Sequence, residues 1–441
     1  MDLALAAAAL ALILLGVPVA FALAGSAVLF AALGWWTGAF DPFLLRALPG
    51  RVLGIAESPV LVAVPLFVLM GTVLERGGVA RDLVRSAAWA LRGLPGGMGV
   101  AVTLVGLMLA AATGVVGASV VALGLIALPP MLAAGMRASR AAGTVAAAGT
   151  LGQIVPPAIV LVVLADQIAT AYQQSQARGG GFASDTVTVG DLFAGALLPG
   201  LLLALAYAGW AMWRDRNAPA VALERPESPW RSLTAPLALV VLVLGSILGG
   251  LAAVAEAAAL GAVGAMALVG RRLFCILPDA VREAGRLTAI LFAIVVGAST
   301  FALVFRGLGG DLRVEGWVEA LPGGATGGLI AVLLLVFVLG FVMEFVEIIY
   351  VVVPLVAPAL LASGDVSPIH LGILLALVLQ TSFLTPPFGV SLFYLASVMP
   401  KEVTTADLYR GVVPYVALQA VVTMLVLFVP MVATALPAFL R

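Results

Sequence analysis

Long apolar runs, separated by short polar segments, dominate the chain. Most runs are long enough to cross the hydrocarbon core of a bilayer as a helix, which takes about 20 residues. They do not alternate apolar and polar residues with a period of two, which argues against a membrane β-barrel. The runs lie near 3–20, 22–37, 59–75, 99–130, 141–168, 192–213, 234–249, 251–270, 287–305, 326–361, 371–399 and 411–436. This pattern predicts an all-α polytopic membrane protein.

The amino-terminal apolar stretch contains one natural break, at Gly16, Val17 and Pro18. Proline removes a helical hydrogen bond and clashes with the preceding turn. We therefore predict two spans, near 3–20 and 22–37, with a single long bent helix as the alternative. The start of the chain lacks the positive charge that opens a cleavable signal peptide, so we expect none.

Composition also indicates a membrane environment. Of the 441 residues, 63% are hydrophobic and 10% are charged, whereas about a quarter of a soluble domain is charged. This argues against a cytosolic enzyme, a nucleic-acid-binding protein and a disordered chain. The 22 basic and 22 acidic residues cancel, so no bulk charge attracts nucleic acid. Cys275 and His370 are each the sole residue of their type, which excludes an internal disulfide and a multi-histidine metal site.

Glycine and proline are abundant for a helical chain, at 49 and 26 residues. A segment that spans lipid has to satisfy its backbone hydrogen bonds. We therefore expect bent, interrupted and closely packed helices. Interrupted helices at membrane depth are typical of secondary transporters.

Arginine-rich segments predict the orientation, because cytoplasmic loops of membrane proteins carry an excess of Lys and Arg. Segments 76–92, 213–231 and 271–286 contain four arginines each, and we place them in the cytoplasm. The polar loop 171–191 contains only Arg178, and we place it outside. Segment 75–92 also reads as an amphipathic helix at the membrane surface, with a scaffolding role.

With this orientation the chain divides into two halves of opposite direction, which predicts an inverted structural repeat. The first repeat covers 1–213, a cytoplasmic linker covers 214–231, and the second repeat covers 232–441. Each repeat is expected to contain scaffold spans, a re-entrant hairpin and a broken helix. The hairpins are predicted near 99–130 and 326–361, and the broken helices at 141–168 and 371–399.

Two of the three proline pairs, Pro156–Pro157 and Pro386–Pro387, carry the strongest chemical signal. A pair within a membrane crossing frees backbone carbonyls that need a partner. A bound cation is one partner, while a neighbouring helix or trapped water is another. Their matching positions in the two halves favour an unwound ion site over an ordinary kink.

Each proline pair has a polar partner segment. Segment 113–119 is expected to face 149–153, and segment 340–347 is expected to face Thr381, Ser382 and Thr385. Hydroxyl and carbonyl oxygens suit a hard cation such as sodium, although small residues also allow plain helix packing. The candidate sodium ligands are Gly114, Gly117, Ser119, Gly149, Thr150, Gly152, Pro156, Gly340, Glu344, Thr381, Thr385 and Pro386.

Intramembrane carboxylates are costly and indicate function. Glu344 and Glu347 share one helical face and could bind a cation, take up a proton or pair with a base; a position in water at the hairpin mouth is the alternative. Asp166 and Glu256 pose the same question, with Asp166 expected at the end of a span. The candidate substrate residues are Gln153, Ser299, Thr300, Glu347, Gln380 and Ser382. Arg306 could attract an anion or simply extend to the membrane surface.

Sequence patterns of enzymes are missing. One His and one Cys leave no hydrolytic triad or zinc site, and the phosphate-binding pattern G-x-x-x-x-G-K-[ST] does not occur. The chain is therefore predicted not to be an enzyme and not to drive transport with ATP.

Several ordered motifs carry a family resemblance. They are Val64–Gly71, Gly77–Ala80, Leu94–Gly97, Ala255–Gly261 and Thr385–Gly389. Together they resemble the large membrane (permease) subunit of tripartite ATP-independent periplasmic (TRAP) transporters, the DctM-like proteins. The resemblance spans nearly the whole chain in the expected order.

The resemblance implies a sodium-driven importer with an elevator-type transport domain in the bacterial inner membrane. It implies Na+ as the coupling ion, carboxylate substrates, a small membrane subunit of the DctQ type and a periplasmic substrate-binding protein. It also implies that sodium lies where the hairpins meet the Pro-Pro helices. One departure is the absence of an Asp in the first hairpin, where this chain has Ala122 and Leu123. Together with Gly152–Gln153 and the polar insertion 171–191, this resembles a branch that takes keto acids and less usual substrates.

We therefore predict a subunit that imports a small organic anion together with sodium. One alternative is a self-sufficient ion-coupled carrier or antiporter of related fold. The other is a non-transporting membrane scaffold subunit, against which the doubled Pro-Pro breaks argue.

Overall fold

The computed structural model describes residues 1–113, 116–178, 187–215 and 225–440. Throughout these ranges the chain forms α-helices joined by turns and loops, with no β-strand. The first half contains α1 (Asp2–Leu14), α2 (Val19–Trp36), α3 (Leu48–Ala56), α4 (Pro59–Arg76), α5 (Val79–Ala90), α6 (Gly97–Thr113), α7 (Val116–Ala133), α8 (Ala138–Thr150), α9 (Ile159–Arg178) and α10 (Val189–Arg214). Short 3-10 turns cover Pro42–Ala47 and Leu151–Gln153.

The second half begins at α11 (Pro229–Leu248), after the undescribed part of the linker. A 3-10 turn covers Gly270–Arg272. The remaining helices are α12 (Val254–Val269), α13 (Leu273–Gly307), α14 (Gly310–Ala320), α15 (Gly324–Leu339), α16 (Phe345–Val351), α17 (Val353–Ala362), α18 (Pro368–Leu384), α19 (Val390–Ala396), α20 (Thr405–Phe428) and α21 (Met431–Leu440).

Seven helical segments of the described chain are long and apolar enough to cross a membrane. Their number rises to eight if α16 and α17, which bend by 52° at their junction, count as one broken span. Large apolar side chains also remain exposed on the outside, such as Trp36 at 85%. A multi-pass membrane protein is thereby confirmed, whereas the inverted relation of the two halves and the elevator movement stay predictions.

The amino-terminal stretch forms two helices, as predicted, because α1 and α2 are separated at Leu15–Pro18. The buried Asp2 of α1 pairs with Arg313 of α14 at 2.7 Å. This ion pair joins the start of the chain to the second half.

Two predicted boundaries are wrong. The polar loop expected at 171–191 is helical through Arg178, since 171–178 contains two Ala, three Gln and one Arg, which favour helices. The basic segment 271–286, predicted to be cytoplasmic, is mostly helical, because α13 begins at Leu273. The amphipathic helix is α5 alone, while Glu75 and Arg76 end α4.

The deepest part of the core is formed by α8, α9 and α18. Every residue from 141 to 150 of α8 and from 369 to 384 of α18 is buried. Helices α6, α7, α10 and α20 pack around them. The two helices that carry the Pro-Pro breaks therefore lie at the centre of the molecule, with other helices supporting them.

Candidate functional site

The first break separates α8 from α9. After Thr150 the chain makes a 3-10 turn and then passes through Pro156 and Pro157, where no helix forms until Ile159. Residues 151–160 are all buried, Gly152 and Pro156 among them. The broken helix predicted at 141–168 is therefore present, and it extends to Arg178.

The second break separates α18 from α19. The helix ends at Leu384, Pro386 and Pro387 follow, and the next helix starts at Val390. Thr385 and Pro386 are half-buried while Pro387 and Phe388 are exposed. The second break is thus open to its surroundings, unlike the first.

Close contacts bring each predicted hairpin segment to a broken helix. Gly149 of α8 lies against Val120 of α7, where an added Cβ would be 3.0 Å from the Val120 Cα. Gly340, just after α15, lies against Ser382 of α18, where an added Cβ would be 2.8 Å from the Ser382 Cβ. The second predicted pair of segments is therefore in contact, whereas Gly149 meets Val120, one residue beyond the predicted segment 113–119. Gly114 lies outside the described residues.

Hydroxyl groups at both breaks donate to carbonyls of their own helices. Thr150 donates to Ala147 at 2.8 Å and Thr381 to Leu377 at 2.7 Å. Ser382 donates to Leu379 at 2.8 Å and Thr385 to Thr381 at 2.7 Å. A hydroxyl oxygen also carries acceptor lone pairs. In this arrangement the proton of each hydroxyl is committed and its oxygen can still accept, which suits a cation better than an anion.

The two candidate glutamates differ in environment. Glu344 precedes α16 and is exposed, whereas Glu347 is 7% exposed. The Glu347 Oε2 accepts the backbone N–H of Glu344 at 3.2 Å, so this side chain serves as a helix-start cap. The Glu344 Oε1 accepts the hydroxyl of Tyr394 on α19 at 2.8 Å. Tyr394 was not predicted from the sequence. The available signal was its hydroxyl group within an otherwise apolar segment.

The candidate substrate residues Gln153 and Gln380 are fully buried. Gln419 of α20 and Tyr207 of α10 are buried with them, and the Tyr207 hydroxyl lies beside Gln380, Gln419 and Thr150. The amides of these three glutamines and the Tyr207 hydroxyl have no hydrogen bond of good geometry to another protein group. Buried polar groups need a partner, so the group of Tyr207, Gln380 and Gln419, here called the buried polar cluster, is a place for ordered water or an ion. Sequence reasoning missed Tyr207 and Gln419.

The remaining candidates have structural contacts. Thr300 of α13 donates to its own helix at Val296, and the nearby Gly297 lets α13 approach the backbone of Ala20 on α2. Ser299 is half-buried on the same helix. Ser119 is buried near the start of α7. A cavity of about 280 Å³ lies beside the neighbouring Ala118, between α4, α7 and α13.

Three further charged residues also have contacts. Asp166 lies inside α9, which continues to Arg178, and it accepts a bond from Gln167 at 2.9 Å. Glu256 caps the start of α12 through the N–H of Ala253 at 2.8 Å. Arg306 donates to the Pro354 carbonyl at 3.0 Å, which ties α13 to α17.

Comparisons with known proteins agree over nearly the whole chain. The family profile "Tripartite ATP-independent periplasmic transporter, DctM component" matches residues 6–432. The C4-dicarboxylate TRAP transporter large permease protein DctM of Pseudomonas aeruginosa is 32% identical over 412 residues, which is 91% of each chain. The isethionate TRAP transporter permease protein DctMQ of Oleidesulfovibrio alaskensis is 30% identical, over 87% of this chain and 58% of that protein.

A solved structure shares the fold. The YdaH transporter of Alcanivorax borkumensis superposes with a TM-score of 0.62 at 18% identity, over 87% of each chain. Members of the matched family are transporter permeases rather than enzymes, and they work with a small subunit and a substrate-binding protein. The chain therefore belongs to the DctM family, the large permease subunits of TRAP transporters.

Proposed function

We propose that this subunit couples the inward movement of Na+ to the import of a small organic anion. A periplasmic substrate-binding protein would deliver the anion, and a DctQ-type small subunit would complete the membrane part in the bacterial inner membrane. The carrying observation is the pair of Pro-Pro breaks, each close to a glycine contact with a predicted hairpin region and each next to hydroxyl groups.

The ligand chemistry at the breaks supports sodium as the coupling ion. Backbone carbonyls released by proline and hydroxyl oxygens with committed protons are hard, uncharged donors. The described residues hold no group of three or more His, Cys, Asp or Glu side chains that could bind a transition metal. Glu344 is a charged group linked to the helix after the second break, through its bond to Tyr394 of α19. One cation at each break, with Glu344 near the second, is the arrangement we propose.

A carboxylate or keto acid is the proposed substrate. The relatives named above are described as handling C4-dicarboxylate and isethionate, which are both small organic anions. Because the hydroxyl protons of Ser382 and Thr300 are used within their helices, a bound cation is the better candidate to neutralise the anion. Movement of the broken helices and hairpins against the outer spans, as in an elevator, would carry the anion and the cation across the membrane.

Uptake by proteoliposomes tests this proposal. The chain is reconstituted with the small subunit and the binding protein encoded beside it, and uptake of labelled C4-dicarboxylates and keto acids is measured. The proposal predicts uptake that needs an inward Na+ gradient and all three proteins, with K+ unable to replace Na+. Uptake by this chain alone would favour a self-sufficient carrier, and no uptake under any condition would favour a scaffold.

A further inference from the structure

Helix α19, which carries Tyr394, is anchored across the second Pro-Pro break. The Ser391 hydroxyl donates to the Phe383 carbonyl of α18 at 2.5 Å. The Ser397 hydroxyl donates to the Tyr394 carbonyl at 2.7 Å, which fixes the turn that carries this tyrosine. The position of Tyr394 is thus set by α18 and by its own helix.

The hydroxyl of Tyr394 orients a carboxylate. It donates to the Glu344 Oε1 at 2.8 Å, and no other side chain in the described ranges bonds this carboxylate. A hydrogen bond to an ionised acceptor is about twice as strong as a neutral one. The bond therefore holds one carboxylate oxygen towards α19 and leaves the other oxygen open to a ligand.

The ring of Tyr394 also contacts the first half of the chain. It lies on Gly117 of α7, where an added Cβ would be 2.8 Å from Cε2 and 2.9 Å from Cζ of the ring. Gly124, two turns further along α7, admits Leu395 and Val398 in the same way. Only a residue without a side chain allows the ring to lie this close to the start of α7.

We propose that Tyr394 is a positioning residue that orients Glu344 for the transported cation or substrate and sets the spacing between α7 and α16. One aromatic side chain thereby links the segments that face the two Pro-Pro breaks. This proposal rests on the proposed function, because it takes Glu344 to act on a transported species.

The variant Tyr394→Phe tests the role of the hydroxyl, since it keeps the ring on Gly117. In proteoliposomes with all three proteins, we expect Tyr394→Phe to raise one half-saturating concentration about three- to tenfold. The affected ligand, Na+ or substrate, should be the one whose half-saturating concentration Glu344→Gln also raises. The maximal rate should stay within about twofold. The matched control is Tyr172→Phe on α9, whose hydroxyl has no hydrogen bond within the described chain.

A double-mutant cycle separates positioning from general packing. In the Glu344→Gln background the acceptor is neutral, so the effect of Tyr394→Phe should fall below about twofold. The proposal is overturned if Tyr394→Phe has the same effect in both backgrounds, or if it behaves like Tyr172→Phe. Failure of the proposed function would give a different result, because wild-type uptake would then not depend on Na+. The double-mutant cycle would in that case compare only the half-saturating concentrations of substrate.

Discussion

Glycine residues at the breaks act through the space that they leave for a neighbouring side chain. At Gly340 the chain passes directly over Ser382, and a methyl group would overlap the serine hydroxyl. The approach is so close that the turn after α15 and the end of α18 form one packed unit. The carbonyl and hydroxyl oxygens of this unit are therefore held in fixed positions, as a selective cation site requires.

Replacing Gly340 with alanine should disturb this unit. Overpacking of this kind costs about 1–3 kcal/mol, so we expect Gly340→Ala to lower both the thermal unfolding midpoint and Na+-dependent uptake. The matched control is Gly245→Ala on α11, where an added Cβ meets nothing within 4 Å and the expected change is within about 0.5 kcal/mol. Equal effects of the two substitutions would show that the contact at Ser382 is unimportant.

The positions of the two breaks were predictable from proline pairs at matching places in the two halves. Proline removes a donor wherever it stands, but the third pair, Pro129–Pro130, lies inside α7 without ending it, so a proline pair alone does not determine a break. The end of α9 was not predictable from hydrophobicity, since a polar but helix-favouring segment continues a helix beyond its apolar run. The contacts of Tyr394 and of the buried polar cluster also could not be predicted from the sequence, because they depend on which helix faces meet.

Helices α8 and α20 meet backbone to backbone. An added Cβ on Gly143 would be 2.7 Å from the Gly411 Cα, and one on Gly411 would overlap the Ser139 carbonyl. Small residues permit such close crossings between membrane helices. The hydroxyls of Thr144 and Tyr415, 2.8 Å apart, continue the same contact.

The variant Gly411→Ala should push α20 away from α8. We expect a loss of about 1–3 kcal/mol and a lower unfolding midpoint in detergent, measured by fluorescence or by loss of a monodisperse peak on heating. Gly209→Ala on α10, where an added Cβ meets nothing within 4 Å, should be near neutral. A stable Gly411→Ala protein would contradict this close crossing.

The orientation of the whole molecule rests on the arginine-rich segments. They predict a cytoplasmic position for the start of α13, where the exposed Cys275 follows Arg271 and Arg272. The predicted inverted repeat depends on this orientation, because two halves with the same order of elements would then cross in opposite directions.

Labelling of Cys275 with a membrane-impermeant maleimide tests the orientation. We expect labelling in inside-out vesicles and none in intact spheroplasts. A Cys275→Ser protein that carries Gln173→Cys, at an exposed position near the end of α9, should show the opposite pattern. If both cysteines react from the same side, the predicted orientation and the inverted repeat are wrong.

Entry of ²²Na+ coupled to substrate is the most direct test of the central claim, that this subunit drives anion import with sodium. Proteoliposomes with this chain, the small subunit and the loaded binding protein are compared with the same vesicles given ligand-free binding protein. The account predicts ²²Na+ entry that rises with substrate uptake in a fixed ratio and disappears when any component is omitted. Substrate uptake without any ²²Na+ entry would contradict it.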